Sequence, residues 1–458
     1  MQYFLSPEFQ RNLWLRVTPF KLLAAPVILG LVVFILSSGM QAQAMPQIMT
    51  VSMWIYYLVV FVWGNYEAGN ALQDEVREKT WDLQRMSSIT PVQLSFGKLF
   101  GVTSYVWYFG FVALAVFGYA YAHSGPSAHE LSRTLFYMVF SGVFGQAAAY
   151  LLSLASLRGK APRARAAFVL GLAVSHYLFS KTVLEVVSSS GMGSIFNRHT
   201  SFSWFGHDVG WENFFMASVV FFFAWVLTGI CRVTKAELMY RMTPAVWVLF
   251  IVTFGIYCAG FNPAPVDACF SFFAVALGAA YLSMLPAARD TRRYGRLAHA
   301  IGRRDWRRAL EDTPKWLAAM PFILLAWAAG LECLLWPPDV APIFSKPVLM
   351  TSALLLALRD GCVVHAICLR PADRQAPFHL LFYYLLAYLL LPVLHLTVAG
   401  HVFRIAALVS DTASFINPAL AWYYPTALAD PVNSILPAAV ELLAAAGLLW
   451  FAVRRQKA

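Results

Sequence analysis

Charged residues are scarce in this sequence. Only 12% of its 458 residues are Asp, Glu, Lys or Arg, whereas 60% are hydrophobic and the mean hydropathy is +0.62. A typical soluble domain carries about 25% charged residues. Because too few polar side chains are available to cover a water-facing surface, a soluble globular domain is excluded. The chain is predicted to be an integral membrane protein.

A phosphate-binding loop is also missing. No Gly-x-x-x-x-Gly-Lys-Ser/Thr pattern occurs, since Gly97-Lys98 is followed by Leu99 and lacks the upstream glycine. No Ser/His/Asp set, catalytic carboxylate pair or Gly-rich cofactor turn can be identified either. We therefore expect neither catalytic residues nor a cofactor in this chain, and no enzymatic activity of its own. If ATP drives the protein, a separate subunit must bind it.

Cysteine is rare, and its positions argue against a disulfide framework. The six cysteines all fall in or beside apolar runs: Cys231, Cys258, Cys269, Cys333, Cys362 and Cys368. Cys362 and Cys368 flank His365 at helical spacing, which would place three ligands on one broad face. Thiolates there would be costly without the ion, so no metal site is predicted.

Long apolar runs dominate the rest of the chain. Continuous runs of roughly 20 residues are typical of membrane-spanning helices rather than of barrel strands. The predicted spans number twelve: 20–39, 46–64, 99–122, 134–156, 166–184, 213–231, 244–260, 267–285, 316–336, 347–368, 378–397 and 434–453. The predicted fold is therefore all-α and integral to the membrane.

The spans form two halves with one plan. Residues 1–240 and 241–458 would each contain two spans, a long cytoplasmic loop, three spans, a long outer loop and a last span. The long cytoplasmic loops are 65–98 and 286–315, and the outer loops are 185–212 and 398–433. Short similarities at matching positions, such as Thr90-Pro91 and Thr313-Pro314, favour an internal duplication.

Basic residues set the expected orientation. Most of the 34 Lys and Arg residues fall in one alternating set of loops and at the two ends. By the positive-inside rule, both termini are cytoplasmic, and the protein is a multi-pass protein of the cytoplasmic (inner) membrane. The same bias, together with anionic membrane lipid, accounts for the net charge of +11 without any nucleic-acid partner.

An interfacial helix is predicted ahead of the first span. Ser6-Pro7-Glu8 is a typical helix start, with proline in the first turn. Phe9, Leu13 and Val17 follow at a spacing of four residues, which lines them along one apolar side. Such a segment is expected to lie in the cytoplasmic interface.

The loop after the second span carries the most informative motif. Glu78-Lys-Thr-Trp-Asp-Leu83 is followed by Thr90-Pro-Val92 and Gly97-Lys-Leu99. This order resembles the signature loop of type-2 ATP-binding-cassette (ABC) exporter permeases, over about residues 5–231 of the chain. Lys79 stands where that pattern usually has glycine, which predicts a tighter or more helical turn here.

The resemblance implies that this loop couples the permease to a motor. In that family the loop holds a coupling helix that inserts into a cleft of the ATPase subunit. The corresponding residues here are Glu75, Glu78, Thr80, Trp81, Asp82, Leu83, Arg85 and Met86. The implied partner is an ABC ATPase subunit in two copies, which would hold ATP and Mg. Whether a second permease chain or self-association completes the exporter stays open, as does the substrate.

The second cytoplasmic loop occupies the corresponding place in the second half, but it lacks the motif of the first loop. Trp306, Arg307 and Leu310 fit a second, divergent coupling element. They fit equally well a basic loop on anionic lipid, and the sequence leaves both interpretations open.

Several charged residues fall inside predicted spans, and Glu332, Arg359, Asp360 and Glu441 are candidates for a function there. Each of Glu332, Arg359 and Asp360 would cost roughly 2.5–3.5 kcal/mol at mid-bilayer. They indicate either a translocation path or a lock between helices, and the lock is favoured. Arg359 and Asp360 point about 100° apart on a helix, so they need not pair.

These charges also support an alternative function. An ion-coupled secondary transporter with six-plus-six spans would use them as ion-linked groups and would need no ATPase. Against it, the loop after the second span lacks the Gly-x-x-x-Asp-Arg-x-Gly pattern typical of that superfamily.

Overall fold

The structure is a computed structural model of the chain. It describes residues 6–39, 44–86, 89–124, 127–157, 164–180, 201–262, 264–288, 290–335, 345–369, 376–390 and 431–457. Most of the two predicted outer loops therefore lies outside the described residues.

The described residues of the first half are helical. Their helices are α1 (Pro7–Arg16), α2 (Pro19–Gly39), α3 (Ala44–Tyr56), the π-helix π1 (Tyr57–Trp63), α4 (Gly64–Asn70), α5 (Gln73–Arg77), α6 (Trp81–Arg85), α7 (Pro91–Val102), α8 (Ser104–Ala122), α9 (Ala128–Ser156) and α10 (Ala164–Phe179). A short hairpin of β1 (Ser201–Trp204) and β2 (His207–Gly210) precedes α11 (Trp211–Glu237).

The described residues of the second half are also helical. The helices are α12 (Ala245–Ala259), α13 (Pro265–Ala288), α14 (Thr291–Gly302), α15 (Trp306–Asp312), α16 (Lys315–Leu335), α17 (Ser345–Cys368), α18 (Ala376–Leu385), the π-helix π2 (Leu386–Leu390) and α19 (Pro431–Lys457).

Eight helices in the described part are long and apolar enough to cross a membrane. They are Met45–Arg77, Ser104–Ala122, Ala128–Ser156, Asn213–Glu237, Pro265–Met284, Lys315–Glu332, Lys346–Cys368 and Ile435–Arg454. A ninth results if α1 and α2, bent by 61° at their junction, count as one span. The prediction of a helical, multi-pass membrane protein is confirmed, whereas the number twelve stays a prediction. Three shorter apolar helices fall on the remaining predicted spans: Ala164–Phe179, Ala245–Ala259 and Phe378–Tyr388.

The chain divides into two compact units. Unit 1 comprises Met1–Thr200 and Gly210–Met242, and unit 2 comprises Ser201–Val209 and Thr243–Ala458. Each unit has its own apolar core. In unit 1 the core includes Tyr56, Phe61 and Phe117, and in unit 2 it includes Phe273 and Ile323.

Polar and small residues hold the helices of unit 1 together. Trp107 donates its indole N–H to Gln146 Oε1 at 2.8 Å, and Gln146 Nε2 donates to the carbonyl of Val60 at 3.1 Å. That carbonyl lies in π1, where the wider turn disturbs the regular backbone hydrogen bonds. Gly145 and Gly171 bring α9 and α10 close together, because a Cβ on Gly145 would lie 2.6 Å from the Gly171 carbonyl oxygen.

Most of the predicted cytoplasmic loop 65–98 is helical in the structure. The helix of the second span continues through polar residues to Arg77. Asn65 is buried within unit 1, where its Nδ2 donates to the Phe61 carbonyl at 2.6 Å and to Ser175 Oγ at 3.0 Å, whereas its Oδ1 accepts no hydrogen bond from the described residues. A second helix, α7, starts at Pro91 behind a Thr90 capping box.

The hairpin β1–β2 lies in the segment 185–212, which is predicted to be the first outer loop. Phe205 and Gly206, at φ of 49° and 75°, form its two-residue turn. Trp204 donates its indole N–H to the Tyr257 carbonyl at 3.3 Å, and the Phe205 N–H donates to the Gly260 carbonyl at 2.8 Å. The aromatic residues of this segment therefore pack on the end of α12.

Candidate functional sites

The predicted coupling segment is a pair of short helices with a left-handed turn between them. α5 ends at Arg77, and α6 begins at Trp81. Lys79 has φ of 60°, and the N–H groups of Lys79 and Thr80 donate to the carbonyls of Val76 and Glu75. This is the Schellman arrangement that closes helices and favours glycine at the left-handed position. The turn is therefore tight rather than helical.

The structure divides the predicted coupling residues between two sides. Glu78, Asp82 and Met86 are exposed, whereas Glu75 and Thr80 are half-buried. Trp81, predicted as the anchor for a soluble partner, is only 7% exposed and packs in the protein's own core with Leu72, Leu94 and Tyr150. That part of the prediction is wrong, because α7 offers an apolar surface behind the segment. The side chains of Leu83 and Arg85 lie outside the described part.

A buried lysine joins this segment to the N-terminal helix. Lys98 on α7 is 1% exposed, and its ammonium forms ion pairs with Glu75 and with Glu8, the latter at 3.2 Å. The Nζ atom also lies 5.6 Å from the centre of the Trp81 ring. A buried cation is tolerated only when it is paired in this way.

The ionic network extends over five helices. Arg11 Nη2 lies 2.9 Å from Glu8 and 2.7 Å from Glu75, and Gln84 Nε2 donates to Glu75 at 2.8 Å. Arg16 pairs with Glu67 at 2.8 Å, which ties the end of α1 to α4. Ion pairs therefore link α1, α4, α5 and α7 on one side of unit 1, and the hydrogen bond of Gln84 adds α6.

Glu8, Arg11 and Lys98 were not predicted to be functional. The sequence signal was weak: Glu8 and Asn12 lie four residues apart and so share one side of α1, beside its apolar line. In the structure this polar side is buried against α7, where a Cβ on Gly97 would lie 2.9 Å from the Phe9 nitrogen. Trp14 and Leu15, near the C-terminal end of α1, are exposed.

The second loop contains the same turn. Arg304 has φ of 56°, and the N–H groups of Arg304 and Asp305 donate to the carbonyls of Ile301 and Ala300. α15 then begins at Trp306, as α6 begins at Trp81. A similar turn ends α11 at Met239 without a following tryptophan helix. Trp306 and Leu310, two of the three predicted residues, are 65% and 57% exposed, and Arg307 is exposed beside them.

The intramembrane charges form a closed cluster in unit 2. Asp360 is fully buried and accepts hydrogen bonds from Arg359 at 2.8 and 2.9 Å. It also accepts from three tyrosine hydroxyls at 2.5–2.9 Å: Tyr281, Tyr383 and Tyr388. Arg359 pairs in addition with Glu441 on α19. The cluster therefore joins α13, α17, α18, π2 and α19.

The sequence left open whether Arg359 and Asp360 pair. In the structure they do, because the flexible guanidinium bends back onto the neighbouring carboxylate. Glu332 does not belong to the cluster: it is exposed on α16 and has no hydrogen bond or ion pair within the described residues. Glu441, a further candidate from the sequence, completes the cluster through its ion pair with Arg359.

His365 is engaged in hydrogen bonds rather than facing the two cysteines as a ligand. Its Nε2 lies 2.6 Å from the Tyr294 hydroxyl, and its Nδ1 lies 2.6 Å from the Gly361 carbonyl. Trp316 donates its indole N–H to the same hydroxyl at 2.8 Å. Burial raises the pKa of Tyr294, so the hydroxyl stays protonated and serves both partners. No group of three or more metal ligands occurs among the described residues.

The fold and these sites define a class: a helical, multi-pass membrane protein with ionic networks inside both of its units. No family model, curated protein or solved structure matches the chain. The function proposed below rests on the loop motif and on the geometry of these residues.

Proposed function

We propose that this protein is the membrane-spanning permease subunit of an ATP-driven ABC exporter. A separate ATPase subunit, in two copies, binds the exposed side of α5 and α6 and supplies ATP and Mg. The complex moves a substrate across the cytoplasmic membrane, and both termini of the permease are cytoplasmic.

The observation that carries the proposal is the two-sided construction of the segment 73–86. Its outer side offers Glu78, Asp82 and Met86 to a soluble partner. Its inner side is bound to α1 and α7 through Trp81 and the ionic pairs of Lys98. A segment that is exposed on one side and rigidly attached on the other passes an applied movement to the helices behind it.

The Arg359–Asp360 cluster acts in this proposal as a lock between helices. The two carboxylate oxygens of Asp360 accept hydrogen bonds from Arg359 and from three tyrosine hydroxyls. These donors occupy its lone pairs, so none is left to bind cargo or a transported ion. A lock holds the bundle of unit 2 as one body while unit 1 receives the motor. The same saturation weighs against the alternative of an ion-coupled secondary transporter.

The test is recovery of the ATPase with the purified full-length permease in mild detergent, measured by quantitative mass spectrometry. Glu78→Lys with Met86→Asp changes the outer side alone, because both side chains are exposed. We expect these changes to reduce the recovered ATPase at least tenfold, since a misplaced charge at an interface costs several kcal/mol. Asp208→Lys is the control, because it reverses an exposed acidic residue in the predicted outer loop.

Two results would contradict the proposal. One is an unchanged amount of a nucleotide hydrolase after the double change. The other is transport in sealed vesicles that runs on a proton gradient with no hydrolase present, which is the behaviour of the secondary transporter.

A further inference from the structure

The second cytoplasmic loop is built as a self-contained helical hairpin. Arg293 on α14 donates to the carbonyls of Glu311, Asp312 and Thr313 at 2.9–3.1 Å and so caps the end of α15. Leu297, Ala300 and Ala309 pack between the two helices. The hairpin therefore holds its shape without a partner.

The hairpin is fixed close to where the chain enters a span. α15 ends at Asp312, and α16 begins at Lys315. The Tyr294 hydroxyl binds His365 on α17 and Trp316 on α16, so α14 is held against the ends of two candidate spans. A surface placed there lies at the level of the lipid headgroups.

The outward surface of the hairpin combines apolar and basic side chains. Trp306 and Leu310 lie one turn apart on α15 and are mostly exposed, and Ile301 is 48% exposed beside the turn. Arg303, Arg304 and Arg307 are exposed around them. Arg303 and Arg304 form no ion pair with any residue that the structure describes. Tryptophan and leucine bordered by arginines are typical of helices that lie on a membrane surface.

Charge distinguishes this hairpin from the first loop. Aligned on the shared turn, residues 75–85 carry three acidic and three basic side chains, whereas residues 300–310 carry one acidic and four basic side chains. Two copies of one ATPase would offer the same binding surface to both loops. One surface does not bind a neutral segment and a strongly basic segment equally well. The apolar residue at the start of the helix differs too, since Trp81 is buried and Trp306 is exposed.

We infer that the hairpin α14–α15 binds the anionic phospholipid headgroups of the adjacent membrane. Trp306 and Leu310 insert at the level of the headgroups, and Arg303, Arg304 and Arg307 contact their phosphates. The site does not depend on the proposed ATPase, and it assigns to the second loop a different partner from that of the first.

The test is hydrogen–deuterium exchange of the full-length protein in nanodiscs, without any ATPase. One set contains phosphatidylcholine alone, and the other contains phosphatidylglycerol in addition. We expect the backbone amides of 300–312 to exchange more slowly in the anionic discs. Raising the ionic strength should remove this protection, because salt screens the exposed arginines.

Matched variants separate charge from fold. Arg303→Gln with Arg307→Gln should abolish most of the protection, since each arginine near an anionic surface contributes roughly a fivefold gain. Both side chains are exposed, so the hairpin keeps its fold. Arg77→Gln with Lys79→Gln removes the same charge from the first loop and should leave the protection of 300–312 unchanged.

Two outcomes would overturn the inference. Equal exchange of 300–312 in both kinds of disc means that anionic lipid does not bind there. Protection that arises only when a nucleotide hydrolase is added identifies the hairpin as a second coupling element. The changes at Glu78 and Met86 test ATPase binding by the first loop alone. ATPase binding by the first loop and lipid binding by the hairpin can therefore fail independently.

Discussion

Replacing Lys98 with methionine tests whether the buried ionic network holds the coupling segment in place. The change keeps the length of the side chain and removes its charge. In the native protein that charge is buried between Glu8 and Glu75, whose side chains are 4% and 13% exposed. After the change, the two carboxylates retain Arg11, which is 45% exposed and lies at the edge of the cluster.

The expected magnitude follows from the burial of these groups. Removing one partner of a buried ion pair costs about 3–5 kcal/mol, because an uncompensated charge stays behind. For a unit of 150–250 residues, 1 kcal/mol shifts the thermal midpoint by about 2–4 °C. We therefore expect Lys98→Met to lower the unfolding midpoint of the detergent-solubilised protein by roughly 6–20 °C.

A second variant distinguishes lost charge balance from lost packing. Lys98→Met combined with Glu75→Gln removes one charge of each sign, so most of the stability should return. Lys79→Met is the control for removal of a lysine, because Lys79 is exposed and should shift the midpoint by less than about 1 °C. The reasoning is refuted if Lys98→Met alone melts at the wild-type temperature, or if adding Glu75→Gln makes the loss larger.

Changes in three other places give expected shifts in the same thermal assay. Lys79→Gly should raise the midpoint by about 2–8 °C, because a left-handed residue other than glycine costs roughly 1–2 kcal/mol, and Lys79→Val should lower it. Gly145→Ala should destabilise the contact of α9 with α10, because the added Cβ would clash with backbone. Gly118→Ala is the control, because the added Cβ would have no neighbour nearer than 3.9 Å. Equal losses from the two changes would contradict the close approach of α9 and α10. Asp360→Ala should lower the free energy of unfolding by about 3–5 kcal/mol, and Tyr383→Phe should lower it by about 1–3 kcal/mol. An Asp360→Ala protein as stable as wild type would show that the cluster does not lock the helices together.

The helical membrane fold could be predicted from the sequence because hydropathy acts over about 20 residues at a time. The local signal of a helix start was equally reliable at Ser6-Pro7, where α1 begins and the Ser6 hydroxyl accepts a hydrogen bond from the Phe9 N–H. The sequence places the end of the second span at residue 64, whereas the helix continues to Arg77 and buries Asn65, whose Nδ2 donates to the Phe61 carbonyl and to Ser175 Oγ.

The ionic networks could not be predicted, because they depend on long-range contacts. Lys98 and Glu75 are 23 residues apart, and Arg11 and Glu75 are 64 apart. No periodicity links such positions, so Lys98 was treated only as part of a motif before a span. Arg359 and Asp360 were noticed because they interrupt an apolar run, but the tyrosines that satisfy Asp360 look like ordinary aromatic residues of spans.

The two tryptophans show how one backbone turn supports two different surfaces. Trp81 and Trp306 each begin the short helix that follows a left-handed basic residue. Behind Trp81 lies α7 with Leu94 and the Lys98 ammonium, so the indole completes a core. Behind α15 the small side chain of Ala309 already fills the contact with α14, so Trp306 points outward.

This difference predicts opposite consequences for the same substitution. Trp81→Ala empties a buried site and should cost about 3–5 kcal/mol of stability. Trp306→Ala removes an exposed ring and should leave the thermal midpoint in detergent within about 1 °C of wild type. In anionic nanodiscs, however, it should speed the exchange of residues 300–312. Equal thermal losses from the two changes would mean that Trp306 is a core residue, and the membrane surface assigned to the hairpin would then lack its anchor.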